Sequence, residues 1–232
     1  MKNIKALTLA FLLSLFSSGH ALAEYGFTVG VTGSMAMIDA SGQETEGGEI
    51  TRAEATNNKA VGSIFLEYND ILGSGLSLGV DYIPGSADIS NSTKTRTDTE
   101  TSVTGTTTNT TTSRTQKAQA EIENHLTYYA TYSPGNGVYL KAGYVQVDLN
   151  TLESLGTGST YGNDTLDGVA LGAGVEFDVG YDNMVGRIEL SHIDYGDIEF
   201  RSQVARTGVA TNNLVEADID VTMLSASLGY KF

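Results

Sequence analysis

Eight stretches of this chain alternate apolar with small or polar residues at period two, and the links between them are alternately short and long. The stretches are 25–37, 63–68, 76–82, 125–132, 138–145, 168–177, 184–191 and 224–232. Period two is the signature of a β-strand that shows different surroundings to its two faces. The short links cover 69–75, 133–137 and 179–183; the long ones cover 40–58, about 90–118, 150–165 and 201–214. Strict long–short alternation is the plan of an up-and-down membrane barrel, with tight turns on one side and loops on the other. A spanning sheet must also close, because lipid offers no partner to a free edge. The predicted fold is therefore all-β: an eight-stranded antiparallel up-and-down transmembrane β-barrel. Side chains fill a barrel of this strand number and leave little or no aqueous channel.

The first residues read as a processing segment. Lys2 and Lys5 precede the apolar run 6–16, and Ala21-Leu22-Ala23 is a small-x-small cleavage site. Residues 1–23 are expected to be removed as a signal peptide, with Ala21 and Ala23 at the cleavage site and Glu24 opening the mature chain. Residues 24–232 then form the barrel. No later stretch approaches the ~18 consecutive apolar residues of a membrane helix. Cysteine is absent, so an exported chain has neither disulfides nor thiolate chemistry. The 28 acidic residues face 13 basic ones, 11 without Lys2 and Lys5, which leaves a formal charge of −17. Such a balance excludes nucleic acid as a partner.

Thr93, Thr95, Thr97, Thr99 and Thr101 alternate with Lys94, Arg96, Asp98, Glu100 and Ser102. Thr is a β-branched strand former, and the period is again two. The third and fourth barrel strands are expected to continue into a protruding extracellular hairpin at about 86–122.

Three stretches carry a family resemblance. The chain ends Ser227-Leu228-Gly229-Tyr230-Lys231-Phe232, an alternating strand with an aromatic terminus. Residues 186–196 hold Arg187-Ile188-Glu189-Leu190 followed by Asp194-Tyr195, and 137–144 read Gly-Val-Tyr-Leu-Lys-Ala-Gly-Tyr. These segments resemble the small eight-stranded outer-membrane β-barrel superfamily, the opacity-protein and OmpA- and OmpX-like barrels of Gram-negative bacteria. The resemblance implies an outer-membrane location, contact with outer-membrane lipid and lipopolysaccharide, and no cofactor. It also implies that Leu228, Tyr230 and Phe232 form the assembly signal read by the barrel-insertion machinery. Leu190 and His192 stand where the family usually has aromatics.

Strand parity gathers Glu67, Asp81, Glu121, Glu123, His125, Lys141, Glu176, Arg187, Glu189 and Lys231 on the inward face. Enclosed charges must be paired or hydrated, so a lumen ion-pair network is expected, with Arg187 and Lys141 neutralising nearby carboxylates. Tyr25, Tyr68, Tyr132, Phe177, Tyr230 and Phe232 read as the lower interfacial girdle, and Tyr82, Tyr128, Tyr144 and Tyr195 as the upper one. Ser191 and His192 are strand neighbours, so their side chains leave opposite faces and cannot form a nucleophile–base pair. Asp194, Asp197 and Glu199, or Asn163, Asp164 and Asp167, offer oxygen atoms without a calcium-loop signature and read as solvated carboxylates, not a metal site. The reading is a non-enzymatic barrel with a structural or surface-interaction role, its loops available to a surface ligand. The alternatives are a narrow cation-preferring channel through the acidic lumen and, less favoured, an outer-membrane lipid hydrolase.

Overall fold

The computed structural model describes residues 26–46, 49–89, 94–104, 108–118, 120–152, 161–203 and 212–232. The cleavage residues Ala21, Ala23 and Glu24, and with them the leader, lie outside the described residues, as does Tyr25. Ten strands follow in order: β1 (Phe27–Glu46), β2 (Glu49–Tyr68), β3 (Leu76–Asp88), β4 (Lys94–Thr104), β5 (Thr108–Ala118), β6 (Ala120–Tyr132), β7 (Val138–Thr151), β8 (Asp164–Asp178), β9 (Met184–Arg201) and β10 (Leu214–Lys231). Eight of them close into an antiparallel barrel in the order β1-β10-β9-β8-β7-β6-β3-β2. β4 and β5 pair separately, from Lys94↔Ala118 to Thr104↔Thr108. β1 and β10 close the cylinder along Thr28↔Lys231 to Thr45↔Leu214, and the Phe232 N–H donates to the Phe27 carbonyl at 2.8 Å.

The link expected over 40–58 is strand. β1 runs to Glu46 and β2 begins at Glu49, and they stay in register from Phe27↔Tyr68 to Glu46↔Glu49. The stretch is rich in Glu, Thr, Asn and Ala, which reads as loop. Pairing along a pre-formed partner overrides that weak local preference.

The wall changes character partway up each strand. On β1 the outward series Val31, Met35 and Met37 is exposed, and the inward Thr32 and Ser34 hydrogen-bond to Ser227 and Ser225 on β10. One turn of the pleat further, the inward residues become Ala36 and Ile38, both buried, and the outward one becomes Asp39. β10 does the same, from outward Leu228 and Leu224 to Asp220, and from inward Ser225 to Val221 and Ile219. β7 passes from outward Leu140 and Tyr144 to Gln146 and Asp148, while Val145, Val147 and Leu149 turn inward. Below the change the barrel is apolar outside and polar inside, as lipid demands. Above it the barrel is polar outside and holds a conventional apolar core, including Ile122, Val147, Leu166, Ile193 and Ile219. The outer apolar belt thus ends on a row of Asp39, Asp220, Asp194, Asp167 and Asp148, and the sheet continues past it as a turret.

Three features break the regular wall, the first a slip of the β9–β10 register between Asp218 and Asp220, opposite Gly196 at φ +65°. Asn124 adopts φ +52°, and the β6 register slips between Glu123 and Leu126. β2 and β3 pair only over Ile64↔Tyr82 to Tyr68↔Leu78, although both strands continue upward.

Candidate functional site

The lower half of the lumen holds the charges. Arg187 of β9 reaches across to Glu67 of β2, with Nη2 donating to Oε1 at 2.6 Å and Nη1 to Oε2 at 2.9 Å. Its Nε donates to Glu176 Oε2 at 2.8 Å, and Lys231 Nζ donates to Glu176 Oε1 at 2.6 Å. The guanidinium also lies 5.5 Å from the ring centroids of Phe65 and Tyr139. Glu67 is 1% exposed, so this fork, together with a hydrogen bond from the Tyr129 hydroxyl, compensates it for leaving water. Above this group Lys141 pairs with Glu189 at 2.9 Å, Tyr139 donates to the same carboxylate at 2.9 Å, and Ser63 donates to Asp81 at 2.8 Å. Lys141 also sits 4.5 Å over the Tyr129 ring. The structure therefore brings Glu67, Glu176, Arg187 and Lys231 into one cluster and Lys141 and Glu189 into a second.

Aromatic rings complete the seal, and the cross-strand partners that make room for them are glycines. Phe65 lies over Gly30, Tyr129 over Gly79 and Tyr139 over Gly174. No sequence argument from charge parity reveals these three rings as lumen filler, although each has the inward parity.

Glu121 and Glu123 are not in the lumen. The slip at Asn124 places one extra residue on β6, so the parity that holds for Thr127 and His125 reverses below residue 124. Glu123 then pairs with outward Asp148, and it is Ile122, opposite Leu149, that enters the core. Asn side chains tolerate the left-handed conformation this bulge requires, and this one is held by Tyr82 at 3.1 Å and Asp148 at 3.0 Å. His125 remains inward and buried. A cysteine at 123 should therefore react roughly tenfold faster or more than one at 141 with a membrane-impermeant maleimide on whole cells, because thiol reactivity follows access. Equal rates would return Glu123 to the lumen.

Tyr195 also departs from expectation. It has the inward parity of Ile193 and belongs to the apolar core, not to an outer girdle. Tyr68, Tyr132, Phe177 and Tyr230 do lie exposed on the belt, with Tyr230 packed edge-on to Phe232 at 5.0 Å and Leu228 exposed beside them on β10. Ser191 is buried and His192 is exposed beside Asp220 at 3.4 Å, on opposite faces. Outside the turret, Asp194, Asp218 and Asp220 bring one carboxylate oxygen each within 4.8 Å of one another, without Asp197 or Glu199. The Asp218 carboxyl is raised above its ordinary range by partial desolvation and by the charges of Asp220, Asp194 and Asp197.

An outer apolar belt, a closed antiparallel ladder and a polar, ion-paired interior together define an integral β-barrel of the outer membrane. The chain belongs to the outer membrane protein beta-barrel domain family, whose model matches residues 8–232. Among solved structures it is similar to the outer membrane protein OprG from Pseudomonas aeruginosa, at 13% identity and a TM-score of 0.56, over 89% of this chain and 96% of that one. It is also similar to Neisserial surface protein A, at 14% identity and a TM-score of 0.43, over 89% and 97% of the two chains. The outer membrane protease OmpT from Escherichia coli matches at 11% identity and a TM-score of 0.49, over 89% and 97%. No curated protein matches the chain.

Proposed function

We propose that this barrel is a non-enzymatic, non-conducting outer-membrane protein whose role is structural and surface-interacting. The observation that carries the reading is the filled lumen. The cross-lumen Glu67–Arg187–Glu176 tie, the Phe65, Tyr129 and Tyr139 rings and the apolar core above them occupy the bore in succession. A cation path through the lumen loses two of the carboxylates expected to line it, since Glu121 and Glu123 face outward. The turret, by contrast, places the long β1–β2 and β9–β10 pairs and the separate β4–β5 hairpin where a partner can reach them. Edge backbone and polar side chains there suit strand addition or surface display.

Two measurements test it. In planar bilayers the mature protein is expected to give no stepwise cation conductance; a regular conductance lost on changing Arg187 would overturn the closed reading. Deleting residues 90–119 is expected to leave a heat-modifiable folded band while abolishing adhesion of displaying cells to an immobilised extracellular-matrix preparation. Undiminished adhesion would remove the hairpin from the interaction.

A further inference from the structure

β4 and β5 stand apart from the barrel wall as a two-stranded sheet, so among the described residues each has one ladder partner and one free edge. A bare edge offers N–H and C=O groups to any strand of suitable direction and register, and proteins commonly guard such edges with charge. The charges on β4 are ordered. Its even positions read Lys94, Arg96, Asp98 and Glu100, two cations followed by two anions, with Thr95, Thr97 and Thr99 between them. From Lys94 to Glu100 the strand is neutral, in a chain of formal net charge −15.

That order decides which strand can join it. An antiparallel second copy of β4, related by a two-fold axis through Thr97, sets Lys94 opposite Glu100, Arg96 opposite Asp98 and Thr95 opposite Thr99. Every charged pair is then of opposite sign, and opposite charges directly across a ladder stabilise it, as Thr–Thr pairs do. The paired residues share parity, so the backbone groups that point away from β5 on one copy meet those on the other. A parallel copy in register sets each charge against its like, which the same rule disfavours. β5 has no such pattern: from Thr108 to Ala118 its charged residues are Arg114 and Lys117, and a second β5 offers them no acid. Pairing also turns a marginal two-stranded sheet into a four-stranded one, β5-β4-β4-β5, through an isologous contact that closes at two copies.

Direction sets where the second copy stands. The hairpin is anchored at its open end, beside the Ile89 N–H that donates to the Ala120 carbonyl at 2.9 Å, and β4 runs from that end toward the turn. Two hairpins rising from one membrane run parallel, whereas two rising from facing membranes run antiparallel. The 11 residues of β4, at ~3.3 Å each, give a reach of about 35 Å.

We propose that β4 is a homotypic adhesion edge, which pairs antiparallel about Thr97 with β4 of a second copy of this chain carried on a facing membrane. This names a partner for the surface-interacting role proposed above and rests on that reading.

The test uses the full mature chain in lipid nanodiscs that hold one copy each, so that any pairing joins two membranes. Sedimentation across the micromolar range should show discs pairing as concentration rises. Thr97→Cys, the sole thiol in a chain without cysteine, should trap paired discs as a disulfide under mild oxidation, because directly opposed Cα atoms lie ~4.5–5.5 Å apart. Ser113→Cys, on β5, should trap roughly tenfold less or worse. An acidic edge, Lys94→Glu with Arg96→Glu, and a basic edge, Asp98→Lys with Glu100→Lys, should each weaken self-pairing about tenfold or more. An equimolar mixture of the two should pair like wild type, which also shows that both altered hairpins still form. Wild-type discs that stay single, or Thr97→Cys trapped no better than Ser113→Cys, overturn the pairing. A mixture that pairs no better than either variant alone overturns charge complementarity as its basis. Single wild-type discs, with matrix adhesion still lost on deleting residues 90–119, strike out the second copy as partner and leave the surface role standing.

Discussion

Arg187→Met is expected to lower the stability of the folded barrel by about 3–5 kcal/mol, the cost of leaving a buried carboxylate without its partner. Glu67 accepts from both terminal nitrogens of Arg187 and is buried to 1% exposure, so it loses its charged partner when the guanidinium goes. Glu176 is better placed, because Lys231 still donates to it at 2.6 Å. The loss should therefore come mainly through Glu67. Removing both ends, as in Glu67→Leu with Arg187→Met, should recover most of it, since an apolar pair of similar volume is often no worse than a buried ion pair. Arg187→Lys should fall between, as a single ammonium cannot reproduce the two-toothed fork and the Nε contact together. Urea titration of the heat-modifiable band checks the series. A wild-type midpoint for Arg187→Met would show that water enters the lower lumen freely and that the tie is dispensable.

How far this cluster was legible depends on how strictly period two holds. Glu67, Glu176, Arg187 and Lys231 sit on four strands whose alternation holds through the belt, the β9–β10 slip at Asp218/Asp220 lying above it, so parity alone assigns them inward. It fails on β6 at one residue: nothing in Glu121-Ile122-Glu123-Asn124-His125 announces that Asn124 will take a left-handed conformation and reverse the two positions below it. It also fails at the edge of the belt, for a more general reason. Within lipid the apolar parity faces out; in the turret it faces in. Val145 and Val147 share the parity of Lys141, and Asp148 shares that of Leu140. Such a strand reads as one alternation that loses its contrast, when it is two opposite alternations joined end to end. Tyr195 was misplaced by the same inversion. The 40–58 segment was misread because its residues are weak strand formers held by an existing edge, a tertiary effect with no local signal.

Gly174→Ala should be the second large loss, about 1–3 kcal/mol by overpacking alone. A Cβ at Gly174 would lie 2.5 Å from Cζ of Tyr139 and 2.6 Å from the Ile188 carbonyl oxygen. The carbonyl cannot retreat, because Val175↔Ile188 and Gly174↔Glu189 hold β8 against β9. Tyr139 must move instead, and its hydroxyl is the donor to Glu189 at 2.9 Å, so the substitution also strips a hydrogen bond from the Lys141–Glu189 pair. Gly33→Ala is the matched control: it is a barrel glycine of ordinary backbone angle whose Cβ would meet nothing within 4 Å, and it should stay within about 0.5 kcal/mol of wild type. The coupling can be isolated, since residues in direct contact depart from additivity by 0.5 kcal/mol or more, in the range of about 0.5–3 kcal/mol. Gly174→Ala placed in a Tyr139→Leu background should therefore cost clearly less than it does alone. If it costs the same, the strain lies in the β8–β9 ladder and not in the ring, and the role of glycine there is to let two strands approach rather than to seat the aromatic plug.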